Sequence, residues 1–96
     1  MADIQRFAPP ADGRPFPPLS LAVRHGSTLY VSGVAPFDKQ GRLAVGDFAA
    51  QFAQVMENLR EVLAAAGADL TRVVKTNVLL TRAEDVREMN QLYAAA

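Results

Sequence analysis

The chain has 96 residues, 50% of them hydrophobic and 21% charged, and ten Lys and Arg balance ten Asp and Glu. That length allows one domain with a thin core, because a chain of this size buries only ~60–65% of its unfolded surface. Zero formal charge argues against nucleic-acid binding through bulk charge. The absence of cysteine excludes disulfides, thiolate metal sites and cysteine nucleophiles, and the single histidine excludes a multi-histidine metal site. No apolar run approaches the ~20 residues of a membrane helix. Lack of cysteine and of a recognisable leader predicts a soluble protein of a reducing cytoplasm.

The first 18 residues read as a loop or edge segment, since Pro9, Pro10, Pro15, Pro17 and Pro18 block helix and Asp12-Gly13 marks a turn. Within it, Ile4 to Phe7 fits a short edge strand. Leu19 to Arg24 alternates, with Leu19, Leu21 and Val23 on one side and Ser20, Ala22 and Arg24 on the other, the period of a half-buried strand. His25-Gly26-Ser27 is a tight turn in which His25 reads as a solvated residue. Thr28 to Val34 forms the second arm of a hairpin. Gly33 lies inside that arm, where glycine marks a bulge or the close approach of a ligand or backbone. Asp38-Lys39-Gln40-Gly41 is a further turn.

The period then changes. Phe48, Phe52, Val55, Leu59, Val62, Leu63 and Ala66 form one stripe of an amphipathic helix spanning about Asp47 to Ala66, capped by Asp47 and closed by Gly67. Gln51, Gln54, Glu57, Arg60 and Glu61 form its solvated face. After a turn at Asp69-Leu70-Thr71-Arg72, Val73 to Leu80 carries apolar residues on both parities, as in a central strand covered on both faces. Two helices cover only one face of a sheet, so the other predicts a partner chain. Thr81-Arg82-Ala83-Glu84 fits a capping box, with Thr81 as N-cap. A second helix follows, with Val86, Met89, Tyr93 and Ala96 on one stripe and Leu92 beside it. The sequence is still helical at Ala94-Ala95-Ala96, so the C-terminus reads as cut off. The sum is one α+β domain over residues 1–96, a mixed sheet with two helices on one face.

The usual catalytic motifs are absent. There is no phosphate-binding glycine loop and no Gly-x-Ser-x-Gly elbow, and a nucleophile–base pair would need Lys39, in a turn, or Lys75, which reads as a sheet residue. Glu84 beside Asp85 is explained by the capping box. What remains is Ser32-Gly33 at a strand end and Asn90 on the second helix. Read without a family, Ser32 is a strand hydroxyl bonded to backbone and Asn90 a partly exposed amide.

Five segments in register nevertheless resemble the Rid/YjgF family, the reactive intermediate deaminases also called the L-PSP endoribonuclease family. They are Leu-Ser-Leu-Ala-Val-Arg-His-Gly at 19–26, Leu-Tyr-Val-Ser-Gly at 29–33, Leu-Ala-Ala-Ala-Gly-Ala-Asp-Leu at 63–70, Val-Val-Lys-Thr-Asn-Val at 73–78 and Met-Asn-Gln-Leu-Tyr at 89–93. The resemblance covers nearly everything after Pro17. It implies a chorismate-mutase-like α+β fold assembled as a homotrimer with a pocket between neighbouring subunits. It also implies hydrolysis of 2-enamino and 2-imino acids to 2-keto acids and ammonia, with no metal or cofactor.

Carried over by position, Ser32 and the Gly33 backbone would line the pocket and Asn90 would support it. Leu19 stands where many deaminases carry a tyrosine, and Val34 where a glutamine commonly follows Ser-Gly, so the substrate-binding pocket becomes more apolar. The family's Pro-x-Arg segment, whose arginine grips the substrate carboxylate, and its late acidic residue have no counterpart in these 96 residues. The ending therefore predicts a longer protein, and the catalytic residues are left unassigned. An apolar pocket keeps open a second function, a non-catalytic trimer that binds small metabolites or regulates a partner. RNA-directed activity is disfavoured by the zero net charge and the lack of an aromatic–basic stacking platform.

Overall fold

A two-residue loop builds the sheet. Gly26 adopts φ 64°, a conformation glycine takes without steric cost, and it turns the chain between strands that pair His25 with Thr28. The computed structural model describes residues 3–9, 18–44 and 46–96. Among these, β1 (Ile4–Phe7), β2 (Ala22–His25) and β3 (Thr28–Val31) form an antiparallel sheet in the order β1-β2-β3. The register sets Phe7 opposite Ala22 and Ala22 opposite Val31. The predicted edge strand and hairpin are both present. The turn at Asp12-Gly13, with Pro10, Pro15 and Pro17, lies outside the described residues.

The first helix, α1 (Phe48–Ala65), starts where the sequence predicts. Asp47 is its N-cap and accepts from the Ala50 amide at 3.3 Å. Past its end, Gly67 at φ 77° lets the Gly67 and Ala68 amides turn back to the Ala64 and Leu63 carbonyls. Every member of the predicted apolar stripe is buried or half-buried, Leu63 and Ala66 most completely. The second helix, α2 (Val86–Ala95), packs on α1 through Met89, with Leu92 half-buried, while Val86 and Tyr93 remain exposed. Ala22, Leu63, Ala66 and Met89 make up the core of the described residues. It is as thin as the length predicts.

Arg24 joins the two layers. Its guanidinium donates to the Ala66 carbonyl at the C-cap of α1 and lies 5.5 Å from the centre of the Phe7 ring. A cation at a helix C-terminus is favoured by the carbonyl dipoles that converge there. The side of β2 that meets the helix layer is therefore that of Ala22 and Arg24. Leu21 and Val23 are half-buried on the other side, beside exposed Ile4 and Tyr30.

Several expectations need correction. Residues 73–80 pair with no strand, so the sheet is antiparallel rather than mixed. Val74 is 99% exposed and Leu79 is 95% exposed. The apolar pattern records what this segment needs on its two faces, but no element of the described chain provides it. The segment is tied to α2 where Thr76 Oγ1 and Tyr93 Oη lie 2.6 Å apart. The capping box does not form. A 3-10 turn at Ala83–Asp85 intervenes before α2, and its N-cap position is Arg82, with no side-chain cap. Arg82 instead turns toward Glu84 and Asp85, with Nε at 3.6 and 3.8 Å from their carboxylates.

The polar face of α1 is also not simply solvated. A hairpin-like strap, bridged between Phe37 and Leu43, lies along it. Gln51 Nε2 donates to the Ala44 carbonyl at 2.5 Å, and Asn58 Nδ2 donates to the Ala35 and Phe37 carbonyls at 3.0 and 2.8 Å. Lys39 Nζ sits 3.7 Å from Glu61. The turn of the strap is closed by Asp38, whose Oδ1 accepts from the Gln40 and Arg42 amides.

Candidate functional site

The β2–β3 ladder continues past Ala22 and Val31. The Ser32 amide donates to the Leu21 carbonyl at 3.0 Å, and the Leu21 amide donates to the Phe7 carbonyl at 2.7 Å. One residue further, Ser32 Oγ donates to the Ser20 carbonyl at 2.5 Å. The half-buried Ser32 is thus held at both its backbone and its side chain by the opposite strand. Its hydroxyl proton is committed to Ser20, so the oxygen lone pairs remain as acceptors.

Leu19, Ser32, Gly33 and Val34 all lie at this end of the hairpin. Leu19 is 41% exposed, Gly33 is exposed and Val34 is half-buried. Gly33 has no positive φ, and a Cβ built on it would meet nothing within 4 Å. Among the described residues, neither backbone conformation nor packing requires a glycine there. The side of Gly33 is open space. Asn90 stands apart, exposed on α2, and among the described residues no hydrogen bond joins it to Ser32.

Leu19, Ser20, Ser32, Gly33 and Val34 supply the hairpin end with hydroxyls, backbone groups and apolar surface and none of them is ionisable. It can orient a ligand by hydrogen bonding. Proton transfer would have to come from another element. Among the described residues, no group of three or more His, Asp or Glu side chains is arranged to hold a metal ion. Surface grooves among the described residues lie elsewhere. One of about 370 Å³ is lined by Arg60, Ala64, Leu70 and Thr71 near the end of α1. The other, about 600 Å³, opens between Asp47 and Gln51 on one side and Arg82 and Glu88 on the other. Asp69 borders the first groove. Asp69 caps the 3-10 turn Leu70–Arg72, and hydrogen bonds from the Thr71 hydroxyl and amide hold its carboxyl below the usual carboxylate range.

Sequence reasoning missed three contributors. Ser20 acts through its carbonyl, which no side-chain pattern reveals. Arg24 was legible as a long cation alternating with strand residues, but its partner lies 42 residues away. Asn58 carried a signal, since asparagine is a weak helix former and here interrupts a run of stronger ones on α1.

Comparison with known proteins agrees with the sequence resemblance. A family model described as Endoribonuclease L-PSP matches residues 12–96. A RutC family protein from Pyrococcus horikoshii is 39% identical over 82 residues, covering 84% of this chain and 65% of that protein. The human 2-iminobutanoate/2-iminopropanoate deaminase is 42% identical over 77 residues, covering 79% of this chain and 56% of the human protein. Among solved structures, RidA from the Antarctic bacterium Psychrobacter superposes with a TM-score of 0.77 at 41% identity, covering 91% of this chain and 68% of its own. Yeast Mmf1 superposes with a TM-score of 0.82 at 28% identity, covering 97% of this chain and 74% of its own. The chain spans less than two thirds of the length of these two curated relatives. No helix among the described residues is long and apolar enough to cross a membrane. Fold, register of motifs and family match converge: the chain belongs to the endoribonuclease L-PSP family, the Rid proteins.

Proposed function

We propose that the protein is a RidA-like deaminase that hydrolyses 2-imino and 2-enamino acids, working without metal or cofactor in a homotrimer whose pockets lie between subunits. The reaction adds water across the C=N bond of a 2-iminium acid. The resulting carbinolamine then expels ammonia, leaving a 2-keto acid and ammonium. The observation that carries the reading is the Ser32 hydroxyl, fixed to the Ser20 carbonyl with its lone pairs free. Such an oxygen accepts from a substrate N–H or from the attacking water. The deaminase names of the human, rat and mouse relatives support the same chemistry.

Assembly is supported by apolar surface that this chain leaves bare, on Val74 and Leu79 and on the outer side of the sheet at Ile4 and Tyr30. Another subunit would cover it, and the open space beside Gly33 gives a neighbouring backbone or ligand room to approach. Asn90 enters the pocket in this reading only through the assembled protein. The cytoplasmic location belongs to the same proposal.

The test couples the purified protein to a dehydratase that generates 2-aminoacrylate, following keto-acid release alongside light scattering. Faster release by a trimer is expected, with Ser32→Ala slowing kcat/KM about tenfold, the effect of one lost hydrogen bond. No acceleration, or a monomer at micromolar concentration, would sink the proposal. Leu19 and Val34 favour a second reading, a metabolite-binding trimer without turnover. Its mark is thermal stabilisation by 2-keto acids in the absence of hydrolysis.

A further inference from the structure

We propose that Asn58 is a positioning residue, which fixes the backbone that follows Ser32-Gly33 and so sets the geometry of the hairpin-end site. The functional consequence rests on the deaminase reading above; the geometric part does not. The chain leaving Gly33 runs through Val34 and Ala35 into the strap, and residues 33–35 belong to no strand. Their conformation has to be held by something outside the sheet ladder. The Asn58 amide does this. Its Nδ2 donates to the Ala35 carbonyl at 3.0 Å and to the Phe37 carbonyl at 2.8 Å. Its Oδ1 accepts from Gln54 Nε2 at 3.0 Å. Both donor hydrogens and one acceptor site are used, and two carbonyls facing one side-chain atom require that atom to be the nitrogen.

The clamp is anchored on the third turn of α1, a helix capped at both ends and packed through its apolar stripe. Gln54, one turn earlier, locks the rotamer. The chain therefore carries a rigid path from the helix, through Gln54 and Asn58, to the carbonyl two residues past Gly33. Lys39–Glu61 and Gln51–Ala44 hold the far parts of the same strap, away from Gly33. Beside Gly33 the Ala35 carbonyl also accepts from the Phe37 amide at 2.9 Å, a bond within the strap itself, so among the described residues Asn58 is the side chain that ties this part of the strap to α1.

The measurement is backbone amide relaxation on the whole chain, with turnover measured in parallel. Asn58→Asp keeps the size and helical preference of the side chain but turns an oxygen toward both carbonyls. Order parameters of the Val34, Ala35 and Phe37 amides should drop from near ~0.85 to below ~0.6, while the Leu59, Val62 and Leu63 amides stay rigid. Gln54→Ala should give a smaller drop at the same amides. Glu61→Gln, which releases the far part of the strap, should leave Val34 and Ala35 unchanged. In turnover, Asn58→Asp should lower kcat by about tenfold to a hundredfold with KM moving far less, the signature of misplaced rather than missing groups.

Unchanged order parameters at 34–37 in Asn58→Asp, or equal loosening in Glu61→Gln, would overturn the proposal. Loosening at 34–37 with kcat retained would overturn its functional part. If wild-type protein does not hydrolyse imines, the deaminase reading fails, and the relaxation data still decide whether Asn58 holds the site.

Discussion

The α1 stripe and residues 73–80 have similar apolar content and opposite fates. Along α1, seven apolar residues recur at helical spacing, and all are buried or half-buried within this chain. From Val73 to Leu80, five apolar residues fall on both parities, and Val74 and Leu79 stand almost wholly in solvent. The difference lies in where each segment's partner is. A helix satisfies its own backbone and needs one face covered, which β2 and α2 supply. A two-sided strand needs a ladder neighbour and two covering layers, and the described chain supplies none of these.

The contrast can be broken most strongly from the buried side. Leu63→Ala should cost about 3 kcal/mol in urea or guanidinium unfolding, because a side chain only 4% exposed leaves a cavity in a thin core. A loss below about 1 kcal/mol would mean that α1 is held mainly by its polar contacts. Arg24→Met should cost about 2 kcal/mol, the worth of a charge-assisted hydrogen bond whose acceptor is left at a helix end. Asp47→Ala, which removes the N-cap, should cost about 1 kcal/mol, read from the same transition.

On the exposed side, Val74→Ser should change the unfolding free energy of the isolated chain by less than about 0.5 kcal/mol. In the proposed assembly the same change should lower the oligomer mass seen by light scattering. The two results together would identify 73–80 as a surface for another chain. The smallest effect concerns pH. The Asp69 carboxyl is held below its ordinary value in the folded chain, chiefly by Thr71. Its contribution to stability is present above the unfolded carboxylate pKa and is lost as pH falls through the lowered folded value. Asp69→Asn should therefore lower stability slightly at neutral pH, leave the acid end nearly unchanged, and so flatten the acid limb of a pH–stability curve below about pH 4.

Legibility in the sequence followed the range of the interaction. The hairpin, α1 and its caps rest on residues within a few positions of one another, so Gly26, Asp47 and Gly67 announced them. The capping box at Thr81–Glu84 had the right local spacing and still did not form: a 3-10 turn occupies Ala83–Asp85, and the Glu84 carboxylate faces Arg82. Leu19, Ser32, Gly33 and Val34 lie near one end of the hairpin because they follow closely in sequence on the paired strands. Asn90 does not join them in this chain, and its expected place depended on the family resemblance rather than on local pattern. Arg24 and Asn58 were legible as residues but their partners were not, because the partners are carbonyl oxygens and a carbonyl carries no residue signature.

The Arg24–Ala66 contact also orders events in time. It closes a loop of 42 residues, which costs roughly 3 kcal/mol of chain entropy before any contact repays it. The hairpin and α1 each form from neighbours, on scales of about 1–10 μs and 0.1–1 μs. Arg24 therefore joins two fast local units through a long-range closure that carries a larger entropy cost than either unit's own turns.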